Sequence, residues 1–191
     1  MAAGFKYDLK PTQTLDELCR YETVYRLSGG FNLDVDNLNM VSHLPILAPL
    51  KVDFKTRKAV AIRNVRVLEK LSAEMTELKV TKGSLSYIGM NLSNGSKGGT
   101  VTKIEHKPEF DLLSIKEAGL TANAGDVLFE SNADGKTPKA VANFLNYGRR
   151  KIESGATVTV IGKAYEVIES KLPIPLSAKD KEGLTSRFMF V

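Results

Sequence analysis

The sequence predicts a mainly β protein with minor α content, in which a small β-barrel or sandwich domain follows a helical and extended N-terminal arm. Three observations predict this fold class. From residue 45 onward, short apolar runs alternate with polar residues; glycine and proline separate these runs; and few stretches carry helix signals. We therefore expect an arm over residues 1–45 and a β-rich domain over residues 46–191, with one inserted helix at about 138–151.

Length and composition are those of a folded protein. The chain has 191 residues, of which 42% are hydrophobic and 26% charged, so one domain with a sizeable core is expected. No run approaches the roughly 18 apolar residues of a membrane-spanning helix, and the opening residues MAAGFKYDLK lack the apolar centre of a signal peptide. We expect no membrane partner. Because Cys19 is the only cysteine, an internal disulfide is excluded.

The N-terminal arm begins with a helix signal. Thr14 and Glu17 have the spacing of a capping box, which predicts a helix that runs to about Leu27 and ends at Gly29 and Gly30. The following residues 31–45 are rich in Asn and Asp and predict a loop or an extended segment.

An extended arm of this kind can pack on a neighbouring subunit, and a mobile terminus is the alternative. The candidate oligomer or capsid contacts in the arm are its larger apolar residues, namely Leu15, Leu18, Tyr25, Phe31 and Leu33.

The β pattern starts with a hairpin formed by ILAPLKVDF and AVAIRNVRVLEK. The apolar alternation slips between Ile62 and Val65, which predicts a bulge in the second strand. Further short strands are predicted in TELKVTKG, TVTKIEH, DLLSIKEA and AGDVLFES, and the glycine cluster from Asn94 to Gly99 predicts a tight loop.

The inserted helix is predicted from its first turn and its apolar stripe. Thr137 fits an N-cap, and Pro138 occupies the first helical position, where a missing N–H costs nothing. Beyond this helix, GATVTVIGKAYEVIES predicts a long strand or hairpin. Ser177 and Asp180 predict a short helix that ends at Gly183, and RFMFV predicts a terminal strand.

Catalytic and metal-binding patterns are not found. The loop at Asn94–Gly99 lacks the order and the following helix of a phosphate-binding loop, and no GxSxG motif occurs. The two histidines, His43 and His106, lie far apart in the sequence, and Cys19 has no evident partner. We therefore expect a protein that is not an enzyme, with no catalytic residues, no cofactor and no metal.

The net charge of +5 raises the question of a polyanionic partner. Acidic residues are interspersed throughout, so a mixed-sign solvated surface is favoured and a nucleic-acid partner is not. A nucleic-acid-binding β-barrel and a carbohydrate-binding β-barrel remain alternatives, although the absence of Trp argues against the second. The candidate polyanion contacts lie on or beside the inserted helix: Lys139, Arg149, Arg150 and Lys151.

Two stretches of sequence resemble a known family. APLKVDFKTRKAVAIRNVRVLEK resembles the opening hairpin of small capsid-associated β-barrel proteins of tailed bacteriophages. The segment from FLNYGRRKIESG to TSRFMFV is similar to phage head fiber proteins, particularly those of Bacteroidales phages and prophages.

The resemblance implies a structural virion protein, a head fiber or capsid decoration subunit that is made in the bacterial cytoplasm and sits on the capsid exterior. It implies two partners, which are further copies of the chain and the major capsid protein. By analogy a trimer is favoured over a dimer, with residues 1–45 as the oligomerisation or capsid-anchoring element.

Overall fold

The computed structural model describes residues 14–40, 42–116 and 119–191, and in these residues the fold is mainly β, as the sequence predicts. One α-helix is present in the described part, α1 (Ala178–Leu184). The strands in chain order are β1 (Arg20–Arg26), β2 (Phe31–Asp34), β3 (His43–Leu44), β4 (Pro49–Asp53), β5 (Lys58–Ala61), β6 (Val65–Arg66), β7 (Glu77–Thr81), β8 (Asn91–Ser93), β9 (Gly98–His106), β10 (Phe110–Lys116), β11 (Val127–Glu130), β12 (Phe144–Asn146), β13 (Arg150–Lys151), β14 (Thr157–Val158), β15 (Val160–Val167) and β16 (Phe188–Phe190).

The first lobe comprises the described residues up to 64 and residues 132–191, and it contains a strongly curled sheet. The strand order is β1-β15-β12-β4-β5-β2-β14, with β16 also paired to β15. Only residue 159 separates β14 from β15, although these strands lie at distant places in that order. The sheet therefore bends back on itself into a barrel-like shape, and this arrangement protects most of its edges.

The second lobe comprises the described residues between 65 and 131 and is inserted between β5 and β12 of the first. Its strand order is β6-β11-β8-β9-β10-β7. Val67, directly after β6, bridges to Val80 of β7, so the two ends of this sheet also meet. A separate apolar core fills the second lobe and includes Leu78, Leu92, Leu113 and Leu128.

Strand β15 joins the two cores of the first lobe, and its first three residues, 160–162, are all buried. Val160 belongs to the core inside the curled sheet, together with Phe31. Ile161 belongs to the core on the outer side, which Leu18 and Leu184 help to cover.

The predicted N-terminal helix is wrong beyond its first turn. The capping box between Thr14 and Glu17 forms, but it starts only a single 3-10 turn at Leu15–Glu17. The next residues, RYETVYR, are rich in aromatic and β-branched side chains and pair with β15 as strand β1. The described residues of the predicted arm are thus part of the first lobe: β2 pairs in parallel with β5, and β3 pairs with β13.

The predicted helix over residues 138–151 is also wrong, because this segment contains β12 and β13. Long-range hydrogen bonds replace the helical ones: Ala142 N–H donates to Asp180, and Val52 N–H donates to the Asn143 side chain. The predicted helix at the C-terminus is confirmed as α1, capped by Ser177 and Asp180, and the terminal strand is confirmed as β16.

A buried ion pair holds the two lobes together where the chain passes between them. The residues from Ile62 to Val65, where the sequence predicts a bulge, form the connection from the first lobe to the second. Strand β5 of the first sheet ends at Ala61, and strand β6 of the second sheet begins at Val65. The Arg63 Nη1 atom lies 2.9 Å from Glu130 Oε2, and the two side chains are only 5% and 8% exposed. Arg63 lies where the chain leaves the first lobe, and Glu130 lies where the chain returns to it. The ion pair therefore connects the two segments that join the lobes.

Other polar groups complete this junction. Glu130 Oε1 accepts hydrogen bonds from Lys139 Nζ and from the Tyr87 hydroxyl, each at 2.8 Å. Burial by itself raises the pKa of Glu130, but the hydrogen bonds from Lys139, Tyr87 and Arg63 outweigh it and hold that pKa below its usual range. Next to Arg63, the buried Asn64 amide donates to Asp180 at 2.7 Å, which links this connection between the lobes to α1.

We predict that Glu130→Gln lowers the free energy of unfolding at neutral pH by about 3 kcal/mol, because it leaves a buried guanidinium without its counter-charge. The folded-state pKa of Glu130 is depressed, so its contribution is complete above the unfolded-state pKa of about 4.3 and is lost as the pH falls through the folded-state value. Urea denaturation across this pH range should show that the difference in unfolding free energy between the variant and the wild type becomes smaller as the pH falls.

The control is Glu69→Gln, which removes an exposed ion pair with Lys79 and should change stability little. A Glu130→Gln variant as stable as the wild type at neutral pH would contradict the assigned role of the pair.

Candidate interaction surface

Strand β1 forms a long exposed edge of the first lobe. On one side it pairs with β15 through Arg20, Tyr25 and Arg26, with register shifts between these pairs, and no described strand pairs with its other side. Two aromatic side chains on it are well exposed, Tyr21 at 53% and Tyr25 at 61%. The unpaired side of an edge strand presents backbone N–H and C=O groups to solvent, and another strand can be added there.

A mainly apolar groove lies beside this edge. It has a volume of about 630 Å³ and is lined by residues from three parts of the chain, including Leu15, Tyr21, Ile46, Tyr147 and Arg149. The turn before β4 supplies Ile46, and the residues after β12 supply Tyr147 and Arg149. We call β1 together with this groove the β1 surface.

The two tyrosines of the groove are linked through their hydroxyl groups. Interaction with the Tyr147 hydroxyl, by hydrogen bonding and then by its charge when ionised, raises the pKa of Tyr21. The Arg26 guanidinium carbon lies 5.2 Å from the centroid of the Tyr147 ring, a cation–π contact that fixes the other side of that ring. The groove is thus a pre-arranged aromatic surface with basic residues at its margin.

Four of the five candidate contacts in the predicted arm lie in the protein's own core. Leu15, Leu18, Phe31 and Leu33 are all buried, and of these four Leu15 also reaches the groove beside β1. Tyr25 is exposed on β1. Its neighbour Tyr21, which the sequence analysis did not select, is exposed as well; an aromatic residue at each end of one strand was the available signal.

The four candidate polyanion contacts do not form one basic patch. Lys139 is paired with Glu130 at the lobe junction, and Lys151 lies 3.0 Å from Glu153. Arg150 is exposed on β13, and Arg149 Nη2 lies 3.5 Å from His43 Nδ1. Two of the four charges are therefore balanced by nearby carboxylates.

The two histidines lie in the same cleft although they are distant in sequence. His43 of the first lobe and His106 of the second line one cleft of about 230 Å³. His106 Nδ1 lies 2.8 Å from Oδ1 of the buried Asp111. Within residues 14–40, 42–116 and 119–191, no group of three or more His, Cys, Asp or Glu side chains could hold a metal ion, and no helix there could span a membrane.

Comparison with known proteins decides the family. The family model described as head fiber protein matches residues 1–188, nearly the whole chain. The chain belongs to the phage head fiber protein family. No curated protein and no solved structure matches it. This head fiber protein is therefore a phage structural protein associated with the virion, and the resemblance in its sequence is confirmed.

We predict that Tyr147→Phe lowers the pKa of Tyr21 toward the ordinary value of about 10, because the substitution removes the hydroxyl group that interacts with Tyr21. NMR titration of the Tyr21 ring signals measures this change directly. Tyr25→Phe, on the same strand, is the control and should leave the titration where it is. An unchanged pKa in Tyr147→Phe would show that the two hydroxyl groups are not hydrogen-bonded in solution.

Proposed function

We propose that this head fiber protein is a capsid decoration subunit, which assembles with itself and binds the major capsid protein on the outer surface of the head. Its membership of the head fiber family supports a place on the virion. The observation that carries the proposal of self-assembly is the exposed edge of β1, in a protein whose two sheets otherwise curl back on themselves.

The proposed contact between subunits is the β1 surface, with a second copy of the chain as its occupant. Backbone groups on the open side of β1 can pair with a strand of the neighbour, and Tyr21 and Tyr25 offer large apolar area that a contact would bury. Arg20 and Glu22 add charges of both signs at the same edge, which suits a contact with an identical chain. By analogy with head fiber proteins, a closed ring of three copies is favoured over a dimer.

Capsid binding is the second part of the proposal. Repeated copies of the major capsid protein offer many equivalent sites, so a multimeric fiber can bind through several subunits at once. Each subunit then needs only a modest contact, because simultaneous engagement multiplies the overall affinity. Self-assembly and capsid binding are therefore linked, and weakening the first should weaken the second.

We predict that the double variant Tyr21→Ser, Tyr25→Ser is monomeric where the wild type is oligomeric, because it removes the apolar part of the β1 surface. Sedimentation equilibrium measures the mass, which should be three times the 20.9 kDa chain for the wild type. The matched control is Ile88→Ser, which removes a side chain that is 67% exposed on the second lobe, and it should remain oligomeric.

An oligomer of unchanged mass in the double variant would exclude the β1 surface as the subunit contact. A monomeric wild type at all concentrations tested would overturn the proposal of self-assembly.

We also predict that the wild type sediments with purified heads that lack this protein, whereas the monomeric double variant binds them at least about a hundredfold more weakly because avidity is lost. Quantifying bound and free protein after sedimentation gives both affinities, and Ile88→Ser should bind like the wild type. No association of the wild type with heads would contradict capsid binding, whatever its oligomeric state.

A further inference from the structure

We infer that the tip of the hairpin formed by β4 and β5 is the surface that binds the major capsid protein. The hairpin tip is defined here as residues 53–58, from the last residue of β4 to the first residue of β5. This inference rests on the proposed function and adds to it, because that proposal does not say which surface contacts the capsid. The hairpin tip combines an exposed aromatic side chain, a fixed backbone and an excess of positive charge.

Phe54 gives the hairpin tip an exposed apolar anchor. Its ring packs edge-on against two buried rings, with 5.4 Å between the ring centroids of Phe54 and Phe31 and 5.4 Å between those of Phe54 and Phe144. These contacts hold the Phe54 ring in place, yet the residue is still 52% exposed. An aromatic side chain that is already ordered loses little conformational entropy when a partner buries it, and such residues supply much of the binding energy of protein interfaces.

The turn that carries Phe54 is fixed by the side chain of Asp53. Asp53 Oδ1 accepts hydrogen bonds from the backbone N–H of Lys55 at 2.8 Å and from that of Thr56 at 3.4 Å. The bond from the Lys55 N–H, followed by those from the Thr56 hydroxyl and N–H, holds the pKa of Asp53 below its usual range. The carboxylate therefore stays ionised and keeps the turn closed.

Arg57 fixes the other end of the same turn. Its φ of 56° lies in the left-handed region that glycine favours. Its side chain stabilises this conformation, because Nη2 donates to the Gly30 backbone oxygen at 2.8 Å and the guanidinium carbon lies 4.1 Å from the centroid of the Phe31 ring. The exposed aromatic ring is thus presented on a turn that is held from both sides.

Positive charge surrounds Phe54. Residues 51–58 contain one acidic residue, Asp53, and four basic residues, which are Lys51, Lys55, Arg57 and Lys58. The three lysines are exposed, and none of the four cations forms a salt bridge with a carboxylate in the part of the chain that the structure describes. A complementary partner therefore offers carboxylates around an apolar pocket that receives the Phe54 ring.

The hairpin tip is separate from the β1 surface, so both surfaces can be occupied in one subunit. In the curled sheet, β15 and β12 lie between β1 and β4. Three strand spacings of about 4.8 Å separate β1 from β4 by about 14 Å along the sheet. Subunits that assemble through β1 can therefore present their hairpin tips to the capsid.

The aromatic residues favour a protein partner over a nucleic acid. Proteins that bind single strands use several exposed aromatic side chains, on which successive bases stack. Phe54 is the only aromatic residue of the hairpin tip, and its ring neighbours Phe31 and Phe144 are both buried. One aromatic anchor with charges around it instead matches the apolar centre and polar rim of a protein interface.

The test measures binding of the full-length protein to purified heads that lack it. The double variant Lys55→Glu, Lys58→Glu should bind at least about tenfold more weakly, because it brings negative charge against an acidic surface. Phe54→Ser should bind about thirtyfold more weakly, the loss typical of a dominant aromatic anchor. Sedimentation equilibrium should give both variants the mass of the wild type, because their β1 surface is unchanged.

The controls make the same kinds of change on the second lobe. Lys70→Glu, Lys97→Glu reverses two exposed charges, and Ile88→Ser removes an exposed apolar side chain. Both controls should bind heads like the wild type. Thermal unfolding confirms that each variant is folded, and the charge-reversal variant, which changes two exposed lysines, keeps the test decisive if Phe54→Ser is unfolded.

Failure of this inference is distinguishable from failure of the proposed function. Heads that bind the wild type and the charge-reversal variant equally well would overturn the hairpin tip as the capsid contact and leave the proposed function standing. A wild type that binds no heads would overturn both. A charge-reversal variant that loses oligomeric mass would assign the hairpin tip to self-assembly and contradict the inference.

A parallel titration with labelled single-stranded DNA tests the choice of partner. Binding to heads that the charge reversal weakens, without measurable DNA binding, supports the inference. DNA binding that the charge reversal abolishes, with head binding unchanged, would contradict it and assign the surface to a nucleic acid.

Discussion

The buried ion pair between Arg63 and Glu130 is the constraint on which the arrangement of this molecule depends. The second lobe is an insertion in the first, so the chain must cross the junction twice, and the pair joins the outgoing passage to the return. Removing two charges from water is costly and is tolerated when further hydrogen bonds complete the pair. Here Lys139, Tyr87 and the Asp36 carbonyl provide them. The junction thereby holds several buried polar groups between the two lobes.

Because both sheets curl, few strands keep a side whose backbone groups are unpaired. In the second lobe the Val67–Val80 bridge brings the ends of the sheet together, and in the first lobe β14 and β15 are almost one strand. Among the described strands, β1 is a long strand with one unpaired side, and it carries exposed tyrosines beside an apolar groove. For a structural protein of a phage head, an edge of this kind is a feature that can serve assembly, and it is the basis of the function proposed for this family member.

The sequence predicted local structure well wherever local pattern and tertiary contact agree. The alternation in β7 and the capping box of α1 are examples, and the family resemblance was confirmed. It failed where distant partners override local signals: the Thr14 capping box precedes a strand because β15 is available to pair, and the pattern after Thr137 forms β12 between β4 and β15. The groove and the ion pair at the junction were not predictable from the sequence. Tyr21 and Tyr147 in the groove, and Arg63 and Glu130 at the junction, are far apart in the chain and come together only in the folded protein.

The central claim is that this chain is a stoichiometric part of the phage head surface. The most direct measurement is quantitative mass spectrometry of density-gradient-purified phage particles, before and after mild protease treatment of intact heads. The account predicts that the chain bands with the major capsid protein at a fixed ratio and is cleaved while the capsid and its DNA remain intact. A chain that stays in the soluble fraction while heads band without it would contradict the claim.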